Sequence, residues 1–240
     1  MNILITGGAS GLGEAITRIL AKDRKNIVYF TYANSELSAK KIESVFSNAV
    51  SIKCDFRDTE SIKSLTDRIS QIDLDILINN AYSGKPIDTY FHKINKDDFS
   101  IEFMFNTIPT ILITQAAIIH FRKKKKGKII TILTSFLLNY PPIGSSNYVA
   151  NKAYLASLVK SWSNENSKFN ITSNSVSPSF MQTRFTSEVD ERIIEQMISN
   201  HPLKKLLTVE EVAETVLFLT KASSQINGVD ITINSGTNFL

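Results

Sequence analysis

The stretch Asn2-Ile-Leu-Ile-Thr6-Gly7-Gly-Ala-Ser10-Gly11-Leu12-Gly13 decides the fold. Its first five residues form a short apolar run and predict a strand. Beyond the glycines, Glu14 to Lys22 carries Ala15, Ile16, Ile19 and Leu20 at helical spacing. A glycine motif is informative in that context of strand, turn and helix. Glycines let the backbone come close to a pyrophosphate. The helix N-terminus then offers the phosphate free N–H groups and the positive end of a dipole. The spacing is Gly-x-x-x-Gly-x-Gly, which taken alone also suits a turn that serves packing.

Working outward, Ile27-Val-Tyr-Phe-Thr31 reads as a second strand. In a dinucleotide fold the residue after it meets the adenine ribose, and an acid there binds the 2′-hydroxyl of NAD. Here Tyr32-Ala-Asn34-Ser35 has no acid before Glu36 and no arginine. That spares an NADP 2′-phosphate from repulsion, with Asn34, Ser35 and their backbone as its contacts, so NADP is expected over NAD. Val50-Ser-Ile-Lys53 is a third strand, with Cys54-Asp55-Phe56 at its end. Asp55 suits either a hydrogen bond from the adenine amino group or the cap of a helix beginning near Thr59.

Asp75-Ile-Leu-Ile-Asn-Asn80 is a fourth strand, followed by Ala81-Tyr82. Phe99 to Phe121 is helical in spacing, with a kink expected at Pro109. Asn106 stands just before that kink, where a loosened backbone carbonyl can hold a water. Lys128 to Thr134 is a fifth strand and Ser135 stands at its end. Ligands of open parallel sheets bind outside the carboxyl ends of strands. Gly7, Asp55, Asn79 and Ser135 all fall at such ends.

Tyr148-Val-Ala-Asn-Lys152 then opens a helix with a phenol and an ammonium at i and i+4. An ammonium one turn away favours the phenolate, so the pair is suited to general acid–base work. Further on, Asn170 to Val176 is a sixth strand, and Ser187 to Leu206 is charged with apolar residues at helical spacing. Thr208-Val-Glu-Glu211 is a capping box that opens a helix through Leu219. Val229 to Ile233 is a last strand.

Composition narrows the class. With 42% apolar and 21% charged residues, the 240-residue chain reads as one folded domain spanning 1–240. Net charge is +4, and the basic run Arg122 to Lys126 closes a helix without interleaved aromatics, which argues against a nucleic-acid partner. A single cysteine, no leader before Asn2 and no apolar run long enough for a bilayer predict a soluble cytoplasmic protein without a membrane partner. His92, His120 and His201 are scattered, each read as a surface residue, so no metal is expected.

Together these motifs resemble the short-chain dehydrogenase/reductase family, in its compact single-domain branch. They are Thr6-Gly7-Gly-Ala-Ser-Gly11-Leu-Gly13, Asp55, Asn79-Asn80-Ala81, Asn106, Ser135 and Tyr148-x-x-x-Lys152, with Ser135 thirteen residues before Tyr148. Pro178 with Thr183 matches the segment over the nicotinamide. The resemblance runs from Asn2 to Gly236 and leans to the 3-oxoacyl-acyl-carrier-protein reductases. It implies a doubly wound α/β Rossmann-type domain with a mainly parallel seven-stranded sheet. It implies Tyr148 as general acid or base, Lys152 as its modulator and ribose ligand, Ser135 on the substrate oxygen, and Asn106 holding a relay water. It implies cofactor contacts at Gly7, Ser10, Gly11, Leu12, Gly13, Asn34, Asp55, Phe56, Asn80, Ala81, Tyr148, Lys152, Pro178 and Thr183. Hydride would pass between NADP(H) and a carbonyl or secondary alcohol, with a small molecule or acyl thioester as substrate. The implied assembly is a homo-oligomer, a tetramer, paired through the helices holding Asn106 and Tyr148. The rival readings are an NAD-dependent dehydrogenase of a sugar or polyol, and a cofactor-binding sensor without chemistry.

Three departures bear on substrate choice. Tyr82 stands where the family has glycine, Ser179 follows Pro178 in place of glycine, and Ser135-Phe-Leu-Leu-Asn139 lacks a glycine. An apolar and aromatic pocket wall is expected from Tyr82, Phe136, Leu137, Leu138, Tyr140, Phe180 and Met181.

Overall fold

A computed structural model of the protein describes residues 1–84, 89–138 and 140–237. Seven strands form one sheet: β1 (Asn2–Ile5), β2 (Ile27–Tyr32), β3 (Ala49–Lys53), β4 (Ile76–Asn79), β5 (Gly127–Ile132), β6 (Ile171–Pro178) and β7 (Asp230–Ile233). Their order is β3-β2-β1-β4-β5-β6-β7 and every pairing is parallel. All seven predicted strands exist, within a residue or two at each end, and the sheet is wholly rather than mainly parallel.

A parallel sheet needs cover on both faces. Side chains alternate along β1, so Ile3 and Ile5 enter one core and Leu4 the other. The first core is closed by α1 (Gly11–Ala21), α2 (Glu36–Val45) and α8 (Val209–Lys221), through Ile16, Leu20, Ile42, Val212 and Val216. The second is closed by α3 (Thr59–Ile69) and α5 (Ile108–Lys124), through Leu65, Ile69, Ile113 and Phe121. Trp162 of α6 (Ser146–Asn166) packs against this second core. The capping box at Thr208 forms as expected, the Thr208 hydroxyl accepting from Glu211 N and the Glu211 carboxylate accepting from Thr208 N.

Three expectations change. The cap of α3 is Asp58, which accepts from Glu60 N; Asp55 instead takes the guanidinium of Arg57 at 2.9 and 3.1 Å. His120 is only 15% exposed and sits 3.7 Å from Asp73, because α5 lays it along the Ile72–Asp75 turn. Finally, α4 (Lys96–Glu102), a π-helical segment at Phe103–Thr107 and α5 run on as one 29-residue helix. By length and composition that helix could cross a bilayer. Counting consecutive apolar residues missed it, because Asn106, Thr107, Thr110 and Thr114 interrupt the run. Those four polar residues are buried, and Ile113, Ala117 and Phe121 lie wholly inside the core. It is therefore a core helix of this domain.

A π segment stands just before Pro109, where the kink is expected. Pro109 has no N–H for the carbonyl four residues back, and its ring crowds that carbonyl. A wider turn just upstream relieves both. Two residues of the basic run, in the last turn of α5, are engaged within the protein. Arg122 donates to Asn166 Oδ1 at 2.7 Å and lies over the Phe169 ring, and Lys124 pairs with Asp73 and Asp75.

Candidate active site

The glycine turn is built around close approach. Gly7 has φ +67°, and a Cβ at Gly13 would lie 2.0 Å from the Gly7 carbonyl oxygen. Ser10 is the N-cap of α1, yet its hydroxyl makes no capping bond. The first N–H groups of α1 and that hydroxyl thus share one end of the helix. Thr183 closes the far side, its Cβ 3.6 Å from where a Gly11 side chain would start. These features fit a dinucleotide pyrophosphate: a cradle that a methyl group would fill, and helix N–H groups without side-chain partners. Asn80 braces the cradle, donating from Nδ2 to the carbonyls of Thr6 and Gly7, while Thr6 Oγ1 accepts from Asn80 N and Ala81 N. Leu12 and Phe56 are core side chains, so only their backbone is available to a ligand. Asn34 is exposed at the end of β2, and the Ser35 hydroxyl is not used to cap α2.

Tyr148 and Lys152 lie on one face of α6, beside the ends of β4 and β5. Lys152 is buried and donates from Nζ to the Ile132 carbonyl at 2.8 Å. Burial lowers its pKa to about 8. The ammonium stands 5.8 Å from the centre of the Tyr148 ring and 5.9 Å from that of Tyr82. The sequence argument has Lys152 lowering the Tyr148 pKa. In this structure burial instead pushes the phenol up, the Thr134 hydroxyl opposes that by hydrogen bonding, and the Glu102 carboxylate adds to the rise. The lysine has turned its ammonium to a backbone carbonyl, so desolvation dominates. Ser135 opens a short 3-10 turn directly after Thr134 and is half-buried.

Asn106 lies inside the π segment. Its backbone carbonyl accepts from the Thr110 hydroxyl at 2.8 Å, and its side-chain amide pairs with the backbone of Ser83. A cavity of about 10 Å³, roughly one water in size, is lined by Asn106, Lys152, Asn79, Tyr82, Thr110 and Thr131 among others. Asn79 also has a buried Oδ1 without a protein partner.

The pocket wall differs from expectation. Tyr140 is 96% exposed and Leu138 45% exposed, while Met181 packs on the core. Asn139 lies outside the described residues. Pro178 ends β6 and is buried. Tyr82 does line the site, edge-on to Tyr148 at 5.4 Å and to Phe185 at 5.2 Å between ring centres. Its hydroxyl donates to Glu102 Oε1. Thr134, Phe185 and Glu102 are the site residues that sequence reasoning missed. Glu102 had a signal, since it sits one helical turn before Asn106.

The family model described as enoyl-(acyl carrier protein) reductase matches residues 7–238. A 3-oxoacyl-(acyl-carrier-protein) reductase of Thermotoga maritima is 29% identical over 97% of this chain and 96% of that protein. Among solved structures, YwfH, an NADPH-dependent reductase involved in bacilysin biosynthesis, is 25% identical with a TM-score of 0.88, covering 100% of this chain and 98% of that one. A short-chain dehydrogenase of Burkholderia cenocepacia in complex with NADP is 26% identical with a TM-score of 0.84, covering 98% and 97%.

Proposed function

The chain belongs to the short-chain dehydrogenase/reductase family of oxidoreductases, and from that premise we propose that it reduces a ketone, of the 3-oxoacyl thioester class, with NADPH. The observation that carries this reading is Tyr148 and Lys152 on one face of α6, set at the carboxyl ends of the strands that also hold the glycine cradle. NADPH, when bound, supplies the hydride for the carbonyl carbon. Tyr148 gives its proton to the carbonyl oxygen. Burial keeps that phenol protonated, the form a reductase needs. Ser135, at the end of β5, is placed to hold the same oxygen. Asn106 and Lys152 share one water-sized cavity, which supports a relay that returns the proton. Oxidation of NADPH by an acetoacetyl thioester tests the reading. Turnover confined to NAD-linked oxidation of polyols would overturn it.

Cofactor choice is testable at the end of β2. Asn34 is exposed, the Ser35 hydroxyl is not engaged in capping, and Glu36 is drawn to Lys40 at 2.8 Å. Ala33→Arg should tighten NADPH by roughly tenfold, since a guanidinium holds phosphate through two parallel bonds. Ala33→Asp should move the preference toward NADH. Dissociation constants of both cofactors on the three proteins decide the point, and a wild type that binds NADH more tightly refutes it.

The same reading places the protein in the cytoplasm as a homotetramer. Ile101, Met104, Leu112 and Ile119 are 42–54% exposed along α4 to α5, with Tyr154 of α6 at 48%. Such an apolar face calls for a cover, and a second copy provides it. Light scattering is expected to give four chains of 26.8 kDa. A monomer at micromolar concentration contradicts the assembly.

A further inference from the structure

Tyr82 and Glu102 form a pair inside the active site that the chemistry described so far does not use. Where the resemblance has glycine, Tyr82 sends its ring across the cleft from the end of β4 to α4. Its hydroxyl donates to Glu102 Oε1, and its ring meets Tyr148 edge-on. Glu102 is 7% exposed, and its second carboxylate oxygen is buried without a partner. One turn of helix separates it from Asn106. The Lys152 ammonium stands 5.9 Å from the Tyr82 ring on the other side. Among the described residues, the groups facing Tyr148 are therefore Tyr82 from the β4 loop, Glu102 from α4, Lys152 from its own helix, Thr134 after β5 and the uncharged ring of Phe185.

A buried carboxylate with one bare oxygen costs stability. The Tyr82 hydroxyl satisfies only the first oxygen. The charge of Glu102, however, falls on Tyr148 and acts with burial to keep that phenol protonated. We propose that Glu102, held by the Tyr82 hydroxyl, is a positioning residue that sets the pH range over which Tyr148 remains a proton donor. This rests on the reading of Tyr148 as the donor in a ketone reductase. The direction follows from sign alone. A nearby negative charge favours protonated neighbours, so removing it lowers the pKa of Tyr148. Burial raises the pKa of Glu102 itself, with the Tyr82 hydrogen bond working against that rise.

Glu102→Gln keeps the shape and the acceptor for Tyr82 but loses the charge. The tyrosinate absorbance of Tyr148 is read on the full chain as the difference between each protein and its own Tyr148→Phe form. It should appear roughly one pH unit lower in Glu102→Gln than in wild type. The alkaline fall of NADPH-dependent ketone reduction should move the same way by a similar amount. Glu102→Asp should restore most of the wild-type profile, and the melting temperature of Glu102→Gln should hold or rise. An unchanged Tyr148 titration in Glu102→Gln overturns the inference, as does a shift reproduced in Glu102→Asp. If Glu102→Gln does not fold, Glu102→Met removes the charge at nearly the same volume and should give a shift of the same sign; no shift there is equally fatal. A shifted titration in a protein that reduces no ketone leaves the charge coupling standing and removes the reductase reading.

Discussion

Tyr148→Phe is expected to lose about 10²–10⁴-fold in kcat for ketone reduction while still binding NADPH, the range that general acid catalysis typically contributes. The substitution removes one oxygen and leaves the ring. Ring contacts with Tyr82 at 5.4 Å and Phe185 at 6.1 Å remain, so the wall of the site is kept. The lost hydrogen bond to the buried Thr134 hydroxyl costs about 1–3 kcal/mol of stability. Steady-state rates and a fluorescence titration with NADPH check both halves. A variant that turns over near the wild-type rate would sink the assignment of Tyr148 as donor. A variant that also loses NADPH would mean that the phenol holds the cofactor's place and not the substrate's proton.

The features legible in the sequence were those written in local spacing. The glycine turn, the alternation of apolar strands with amphipathic helices, the Thr208 capping box and the Tyr148–Lys152 pair each span fewer than fifteen residues. Strand, turn and helix periods therefore reported them directly. What could not be read depends on side chains that meet across the fold. Tyr82 and Glu102 are twenty residues apart, and Phe185 lies more than thirty beyond Tyr148, so no period links them. The pairing of Lys152 with the Ile132 carbonyl is of the same kind, and it explains why the expected lowering of the Tyr148 pKa is absent here. Asp55 and Asp58 illustrate a local ambiguity: two acids stand within reach of one helix start. The nearer one caps it because only Asp58 has Glu60 N two residues on. The long helix was obscured for another reason. Its buried polar residues serve the site, as Asn106 and Thr110 do, and they break the apolar run that length-based reading looks for.

Gly13→Ala should abolish cofactor binding with the fold otherwise retained. The added methyl would lie 2.0 Å from the Gly7 carbonyl oxygen and 2.6 Å from Asn80 Nδ2. Neither is the free end of a flexible side chain. Gly7 is fixed through its own N–H on Thr31 Oγ1 at 2.9 Å, and Asn80 is fixed on the carbonyls of Thr6 and Gly7. The turn must therefore lift off the end of β4. Overpacking of this kind costs about 1–3 kcal/mol. In a chain of this size, about 2–4 °C of melting temperature is lost per kcal/mol. The larger effect is on affinity. The displaced backbone carries the N–H groups that would meet the pyrophosphate, and a hydrogen bond to a charged group contributes about 1.5–3 kcal/mol. Losing two such bonds weakens NADPH by at least about a hundredfold. Gly236→Ala is the control. It also has positive φ, at +71°, but nothing lies within 4 Å of the new methyl. It should pay the backbone strain alone, about 1–2 kcal/mol, and bind NADPH as wild type does. Calorimetric titration of the three proteins decides between them. Wild-type affinity in Gly13→Ala would show that the pyrophosphate does not rest on this turn.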